Sequence, residues 1–272
     1  MSSEVKSVMA HAVLTLHCRF ADLEPLTADL WERGTLGLQE TELTGGQYEI
    51  CAYFDAPFTA AFMPGFVSWH QESDITGNEW QDAWQPVAIG QKLWLAPNWL
   101  ATPPPVGRLR VNVHPGQGSG TSYSEPTLLM LEVLEQIVSA SDTVADIGTG
   151  SGILTAAAHA LGARHLFACD IDHTAAAEAA QTLLEDGIHA NIWCGSPRSL
   201  ASRSATLVLA NLNAIQLEAL ATELTRILAP GGRLLLGGFT ERNLPRMEAV
   251  FAGPHVIHRR GPWRALLYKP SV

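Results

Sequence analysis

Three glycines that follow an acidic residue at the end of an apolar stretch are the residues of this chain best suited to chemistry. Asp146 ends the stretch, and Gly148, Gly150 and Gly152 alternate with other residues after it. Glycine turns without a Cβ clash and lets backbone amides approach a ligand closely. Good helix formers follow over residues 151–161. The pattern predicts an α/β crevice for a nucleoside-bearing cofactor, and a turn that only packs a helix against a sheet is the alternative.

The spacing of the glycines separates two cofactor classes. A dinucleotide fingerprint needs its third glycine at position 153, which is Ile153 here. The Asp-x-Gly-x-Gly-x-Gly pattern instead resembles the first motif of class I S-adenosylmethionine methyltransferases, in which an acidic residue at the end of the next strand holds the ribose. Asp170 ends such a strand and is favoured over Asp172, which suits the N-cap of the following helix.

Helix and strand patterns alternate from Ser124 onward. A helix over residues 124–139 precedes apolar strands near residues 143, 165, 189, 206, 232 and 263, with helices between the first five. This alternation predicts an α/β domain with a mostly parallel sheet and helices on both faces. The last strand, over residues 263–269, is expected to add antiparallel at one end, as in the seven-stranded, Rossmann-like sheet of class I methyltransferases.

The first 75 residues have another pattern. Strand, helix, strand, strand, helix and strand are predicted over residues 11–20, 23–33, 36–43, 47–55, 58–62 and 66–72. This order predicts a small α+β (ferredoxin-like) domain. We therefore expect a substrate-recognition domain over residues 1–75, a connector over 76–115 and a catalytic domain over 116–272.

Composition narrows the class of protein. With 272 residues, 47% hydrophobic and 16% charged, the chain is expected to be globular with a large core. Apolar runs stay shorter than about 18 residues and no signal peptide is evident, so we expect a cytoplasmic protein that does not enter a membrane. The cysteines are scattered and the histidines lack pair spacing on one helix face, so no metal site is expected.

Negative charge is concentrated near the N-terminus. Residues 1–75 contain 11 acidic and three basic residues, while the whole chain carries a net charge of −10. Such a surface would attract a basic macromolecular partner and repel nucleic acid. The alternative is that the charge only serves solubility.

Several further segments carry a resemblance to a known family. They are Leu30-Trp-Glu-Arg-Gly34-Thr-Leu-Gly-Leu38, Glu79-Trp80, Lys92-Leu-Trp94-Leu-Ala-Pro97-Asn-Trp99, His114-Pro115-Gly116 and Ala210-Asn211-Leu212, in addition to the glycine motif and Asp170-Ile-Asp172. In this order and at this spacing they resemble the PrmA family, bacterial methyltransferases that modify the eleventh protein of the large ribosomal subunit. The resemblance extends over nearly the whole chain.

The resemblance implies that six residues bind S-adenosylmethionine, one of which, Asn211, is also the implied catalytic residue. Thr127, in the first turn of its helix, would contact the cofactor, and Gly148 and Gly150 would line its methionine moiety. Asp170 would bind the ribose, and Asp146 would orient the glycine turn or the methionine ammonium. A Thr127 hydroxyl that only bonds its own backbone is the alternative.

Asn211 is the implied catalytic residue, where its amide would hold both the cofactor and an incoming amine. Capping of the helix that starts near Asn213 is the alternative. Methyl transfer from a sulfonium needs the nucleophile in line with the methyl group, so positioning supplies most of the acceleration. Desolvation lowers the pKa of a lysine from about 10.4, so no dedicated base is required. The implied activity is N-methylation of lysine and/or α-amino groups of the ribosomal protein.

The loop before the first helix of the catalytic domain departs from the family. Where the family usually has Phe-Gly-Thr-Gly-x-His, this chain has Ser119-Gly-Thr-Ser-Tyr-Ser124, and Pro126 replaces a threonine. These changes leave two alternatives open: a relative that methylates another protein or a small molecule, and a catalytically silent cofactor-binding relative. A nucleic-acid methyltransferase is disfavoured, because Leu-Asn-Ala follows Asn211 instead of Pro-Pro and an aromatic residue.

Overall fold

The structure is a computed structural model that describes residues 12–33, 35, 37–43, 45–54, 66–73, 85–114 and 123–269. The described residues form two compact units, one that ends at Gln85 and one that begins at Pro86. Within these ranges no helix is long and apolar enough to cross a membrane. In the same ranges, no group of three or more His, Cys, Asp or Glu side chains is arranged to hold a metal ion.

The smaller unit is a four-stranded antiparallel sheet with one described helix. Its elements are β1 (Ala12–Arg19), α1 (Phe20–Glu32), β2 (Gly37–Leu43), β3 (Gln47–Phe54) and β4 (Phe66–Ser73), in the strand order β2-β3-β1-β4. Leu14 and Leu16, which alternate along β1, are buried in one core with Leu26 and Leu30 of α1. The predicted strand pair is confirmed, and the predicted helix at 58–62 lies outside the described residues.

The larger unit contains the predicted alternation of helices and strands. Its elements are β5 (Val87–Ile89), β6 (Leu93–Pro97), β7 (Leu109–Val113), α2 (Glu125–Ile137), β8 (Thr143–Ile147), α3 (Ile153–Ala160), β9 (His165–Asp170), α4 (His173–Glu185), β10 (Asn191–Cys194), β11 (Ala205–Asn211), α5 (Ala214–Ile227), β12 (Leu228–Thr240), α6 (Leu244–Val250), β13 (His255–Arg260) and β14 (Trp263–Tyr268).

Seven of these strands form one sheet in the order β10-β9-β8-β11-β12-β14-β13. The first five run parallel, and β14 is antiparallel to both β12 and β13. The chain moves from β8 outward to β9 and β10, then returns to β11 on the other side. Ligands of open α/β sheets bind at the carboxyl ends of strands where the order reverses in this way, here β8 and β11. The predicted seven-stranded fold is confirmed.

Two details of the prediction were wrong. The strand β13 was not predicted, so the last strand of the chain lies between β12 and β13 instead of at the end of the sheet. As an edge strand, β13 is rich in histidine and arginine and lacks the apolar alternation of a buried strand. The helix expected between β10 and β11 is only a 3₁₀ turn, Pro197–Ser199, because the intervening segment is short and contains proline.

A three-stranded sheet, β5-β6-β7, belongs to the larger unit although residues 76–115 were assigned to a connector. Glu135 of α2 is buried, and its carboxylate accepts the N–H groups of Gln91 and Lys92, both at 2.9 Å. A Cβ on Gly90 would lie 2.1 Å from the Glu135 carboxylate. The β5–β6 turn is therefore docked directly on α2. The three-part division of the chain stays a prediction.

Candidate active site

The glycine turn follows β8 and requires glycine for two reasons. Gly148, Gly150 and Gly152 have φ angles of 72°, 53° and 81°, a region that L side chains rarely adopt. A Cβ on Gly148 would also lie 2.4 Å from Cδ2 of Leu212. The backbone oxygen of Cys169 accepts the N–H of Gly148 at 2.8 Å and ties the turn to β9. The strand, turn and helix predicted from the motif are confirmed.

Asp170 lies against this turn at the end of β9. One carboxylate oxygen accepts the N–H of Gly150 at 3.0 Å, and the other accepts the N–H of Asp172 at 3.0 Å. The side chain of Asp172 accepts the N–H of Thr174 at 2.7 Å as the N-cap of α4. The geometry therefore brings Asp170 to the glycine turn and gives Asp172 the capping position that the sequence offered as its alternative.

Asp146 is fully buried beneath the turn. Its Oδ2 accepts the hydroxyls of Thr149 and Thr155, both at 2.8 Å. Its Oδ1 is also buried and has no hydrogen-bond partner among the described residues. Burial raises the pKa of Asp146 to about 6, the two threonine hydrogen bonds oppose that rise, and the charge of Asp170 adds to it. Asp146 thus holds the turn through Thr149 and keeps one acceptor oxygen unsatisfied.

Thr127 and Asn211 meet at the opposite side of the crevice. Nδ2 of Asn211 donates to the Thr127 hydroxyl at 3.0 Å, and the Ser124 hydroxyl donates to the same oxygen at 3.0 Å. Asn211 Oδ1 is buried without a hydrogen-bond partner in the described part of the chain. The capping alternative for Asn211 does not apply, because Asn213 itself accepts two N–H groups in the first turn of α5. The structure joins two residues that are 84 positions apart.

Polar groups also hold the end of β7 beside the glycine turn. Asp186 Oδ1 accepts the Asn112 amide at 2.7 Å and lies 3.1 Å from Nε2 of His114. These residues line a small cavity together with Ser151 and Gly152. Burial raises the pKa of Asp186, but the hydrogen bonds from His114 and Asn112 outweigh it, so the pKa lies below its usual value. His114 is therefore anchored, while residues 115–122, which include most of the altered loop, lie outside the described ranges.

Sequence reasoning did not identify four residues that shape this site. Thr149 and Thr155 bind Asp146, Ser124 binds Thr127, and Gly237 pairs with Asn211 in the register of β11 and β12. A signal existed only for Gly237, which follows three consecutive leucines and precedes a second glycine within a strand.

Comparison with known proteins identifies the family of this chain. The family model described as ribosomal protein L11 methyltransferase (PrmA) matches residues 67–267. A ribosomal protein L11 methyltransferase of Geobacter metallireducens is 36% identical over 222 residues, which are 80% of this chain and 72% of that protein. One from Azotobacter vinelandii is 34% identical over 193 residues, 69% of this chain and 66% of that protein.

A solved structure supports the same assignment. The crystal structure of the ribosomal protein L11 methylase from Lactobacillus delbrueckii subsp. bulgaricus superposes with a TM-score of 0.64 at 27% sequence identity. The match covers 69% of this chain and 100% of that one. The resemblance inferred from the motifs is confirmed: the chain belongs to the ribosomal protein L11 methyltransferase (PrmA) family.

Proposed function

We propose that this chain transfers methyl groups to lysine and/or α-amino groups of ribosomal protein L11. Its family makes it an S-adenosylmethionine-dependent methyltransferase, and its relatives are named for methylation of L11. The observation that carries the proposal is the Thr127–Asn211 pair, which lies at the same edge of the sheet as the glycine turn and Asp170.

The residues at this edge fit S-adenosylmethionine. Its ribose hydroxyls and ammonium need hydrogen-bond acceptors, and a carboxylate oxygen can accept more than one hydrogen bond. We propose that Asp170 binds the ribose, because each of its oxygens has accepted one backbone N–H and retains further capacity. The unsatisfied Oδ1 of Asp146 supports a role toward the methionine ammonium, in addition to its hold on the turn. Gly148 and Gly150 would line the methionine moiety, and Thr127 would contact the cofactor.

Methyl transfer then depends on how Asn211 orients an amine. When bound, the cofactor supplies an electrophilic methyl group on a sulfonium. The buried, unsatisfied Oδ1 of Asn211 is suited to accept an N–H of the incoming amine. Thr127 holds the Asn211 amide in the orientation that presents this oxygen. Desolvation favours the neutral amine, because burial lowers the pKa of a lysine below about 10.4. The main contribution of the chain to catalysis is therefore to align a neutral amine with the methyl group.

The proposed partner is a basic ribosomal protein that is met in the cytoplasm, with no direct role for nucleic acid or membrane. The support is the excess of eight acidic residues over residues 1–75. Two arginines in the described part of this region, Arg19 and Arg33, are paired with Asp22 and Asp29 at 2.9 Å, so their positive charge is locally compensated. An acidic surface would speed association with a basic partner, and salt would weaken that effect.

The test follows the intact mass of L11 after incubation with the enzyme and S-adenosylmethionine. We expect mass increments of whole methyl groups from the wild type. Asp170→Ala should weaken cofactor binding at least about 10-fold, because it removes hydrogen bonds to a charged group. Asp172→Ala is the matched control, since it removes only a helix cap at a cost of about 1 kcal/mol and should retain methylation.

Other outcomes separate the alternatives. Cofactor binding without any change in the mass of L11 would point to a family member with another protein or a small molecule as substrate. Cofactor binding without methyl transfer to L11, to another protein or to a small molecule would point to the catalytically silent cofactor-binding relative. Equal losses in Asp170→Ala and Asp172→Ala would contradict the role proposed for Asp170.

A further inference from the structure

The packing of α2 on β12 leaves no room for a side chain at Gly237. A Cβ at this position would lie 2.6 Å from Sδ and 2.8 Å from Cγ of Met130, well inside van der Waals contact. Gly237 does not have a left-handed φ, so its backbone would accept another residue. Met130 is fully buried, so its thioether can move away only by displacing the side chains packed around it. Glycine is therefore required here by space and not by backbone conformation.

The same glycine lies next to the proposed catalytic pair. Gly237 is the register partner of Asn211, and its backbone oxygen accepts the N–H of Leu212 at 3.1 Å. A Cβ on Gly237 would lie 3.4 Å from Oδ1 of Asn211. Met130 follows Thr127 by three residues, so both side chains are on the same face of α2. A shift of α2 at Met130 would therefore also move Thr127 relative to Asn211.

We propose that Gly237 is a positioning residue for methyl transfer: its missing side chain lets α2 pack deeply enough for the Thr127–Asn211 hydrogen bond. The proposal rests on the proposed function, in which Asn211 orients the amine. The hydrogen bond is 3.0 Å long, and hydrogen bonds of this kind are lost beyond about 3.5 Å. Relief of a 2.6 Å contact to an ordinary one needs a shift of about 1 Å, which is enough to break it. Asn211 would then lose its fixed orientation.

Three variants test this role. Gly237→Ala should lower kcat for L11 methylation about 10- to 100-fold, the loss typical of a misplacement of about 1 Å, with a smaller rise in the Kd for S-adenosylmethionine. Adding Met130→Ala removes the clashing atoms, so the double variant should regain much of the lost kcat. Met130→Ala alone should be no faster than the wild type. Gly232→Ala is the matched control on the same strand.

The control separates positioning from stability. Gly232 is also buried without a left-handed φ, and its Cβ would lie 2.8 Å from Cδ1 of Leu228, away from the site. Gly232→Ala should lower the melting temperature and leave kcat within about 2-fold of the wild type. An equal fall of kcat in both glycine variants, or no recovery in the Gly237→Ala/Met130→Ala double variant, would overturn the proposal.

A second readout does not depend on the substrate. Hydrogen exchange of the Asn211 side-chain amide, followed by NMR, should be at least about 10-fold faster in Gly237→Ala and return toward the wild-type rate in the double variant. Unchanged exchange in Gly237→Ala would refute the positioning role, whatever the activity. A wild type that leaves L11 unmodified would refute the proposed function alone, and the exchange rates would still decide the role of Gly237.

Discussion

The buried carboxylate of Asp146 makes folding less favourable at neutral pH than in acid. In the unfolded chain its pKa is 3.8, and burial raises the pKa in the folded chain to about 6. A group whose pKa is raised on folding contributes its full stability below pH 3.8, and this contribution is lost as pH rises through about 6. A pKa about two units above that of the unfolded chain lowers the free energy of unfolding by about 3 kcal/mol at pH 7.

Asp146→Asn tests this reasoning because it removes the charge and keeps the shape. The amide oxygen can still accept the hydroxyls of Thr149 and Thr155. Its NH₂ group would then occupy the position of the unsatisfied oxygen, at a cost of about 1–3 kcal/mol that does not depend on pH. Between pH 4 and pH 7 the free energy of unfolding of the variant should therefore rise by about 2 kcal/mol relative to that of the wild type.

Urea unfolding of both proteins without cofactor, at half-unit steps from pH 4 to pH 7.5, measures this difference. Other titrating groups are common to the two proteins and largely cancel. A stability difference that stays constant over this range would refute the assignment of a raised pKa to Asp146. The variant should also bind S-adenosylmethionine more weakly at pH 7, which would show that the charge is retained for binding at the expense of stability.

Three further predictions concern other parts of the larger unit. The pKa of Asp186 is lowered, so this residue stabilises the fold above pH 3.8 and loses that effect in acid. In urea unfolding, Asp186→Asn should therefore be destabilising at pH 7 and nearly neutral near pH 3. The opposite trend would contradict the hydrogen bond from His114. Glu135→Ala leaves two backbone N–H groups of the β5–β6 turn unpaired and should lower the free energy of unfolding by about 3 kcal/mol. The control variant Gln136→Ala, at an exposed position, should change it by less than about 0.5 kcal/mol. Thr127→Val removes the hydroxyl that holds the Asn211 amide and should lower kcat about 10-fold in the L11 mass assay, so full activity would count against the pair.

Local sequence was sufficient for the central part of the fold. The glycine motif, the strand that ends at Asp170 and most of the alternation of helices and strands follow from steric rules and periodicity that act over a few residues. These parts were confirmed, except for the helix expected between β10 and β11, which is a 3₁₀ turn. The edge strand β13 was missed because edge strands need little apolar alternation. The local pattern of residues 86–114 does not indicate that the carboxylate of Glu135, more than 40 positions from Gln91 and Lys92, accepts their N–H groups and docks the β5–β6 turn on α2.

The sequence by itself determined the class of fold and the strand, glycine turn and helix that follow Asp146, and it supplied the residues that we propose bind the cofactor. Only the tertiary structure decided which groups meet there. It brought Thr127 to Asn211, gave Asp172 the helix cap while Asp170 lies on the glycine turn, and left Gly237 beneath the pair. The physical reason is range: a turn or strand depends on neighbours along the chain, whereas hydrogen bonds of about 3 Å between distant segments depend on how deeply whole helices pack on the sheet.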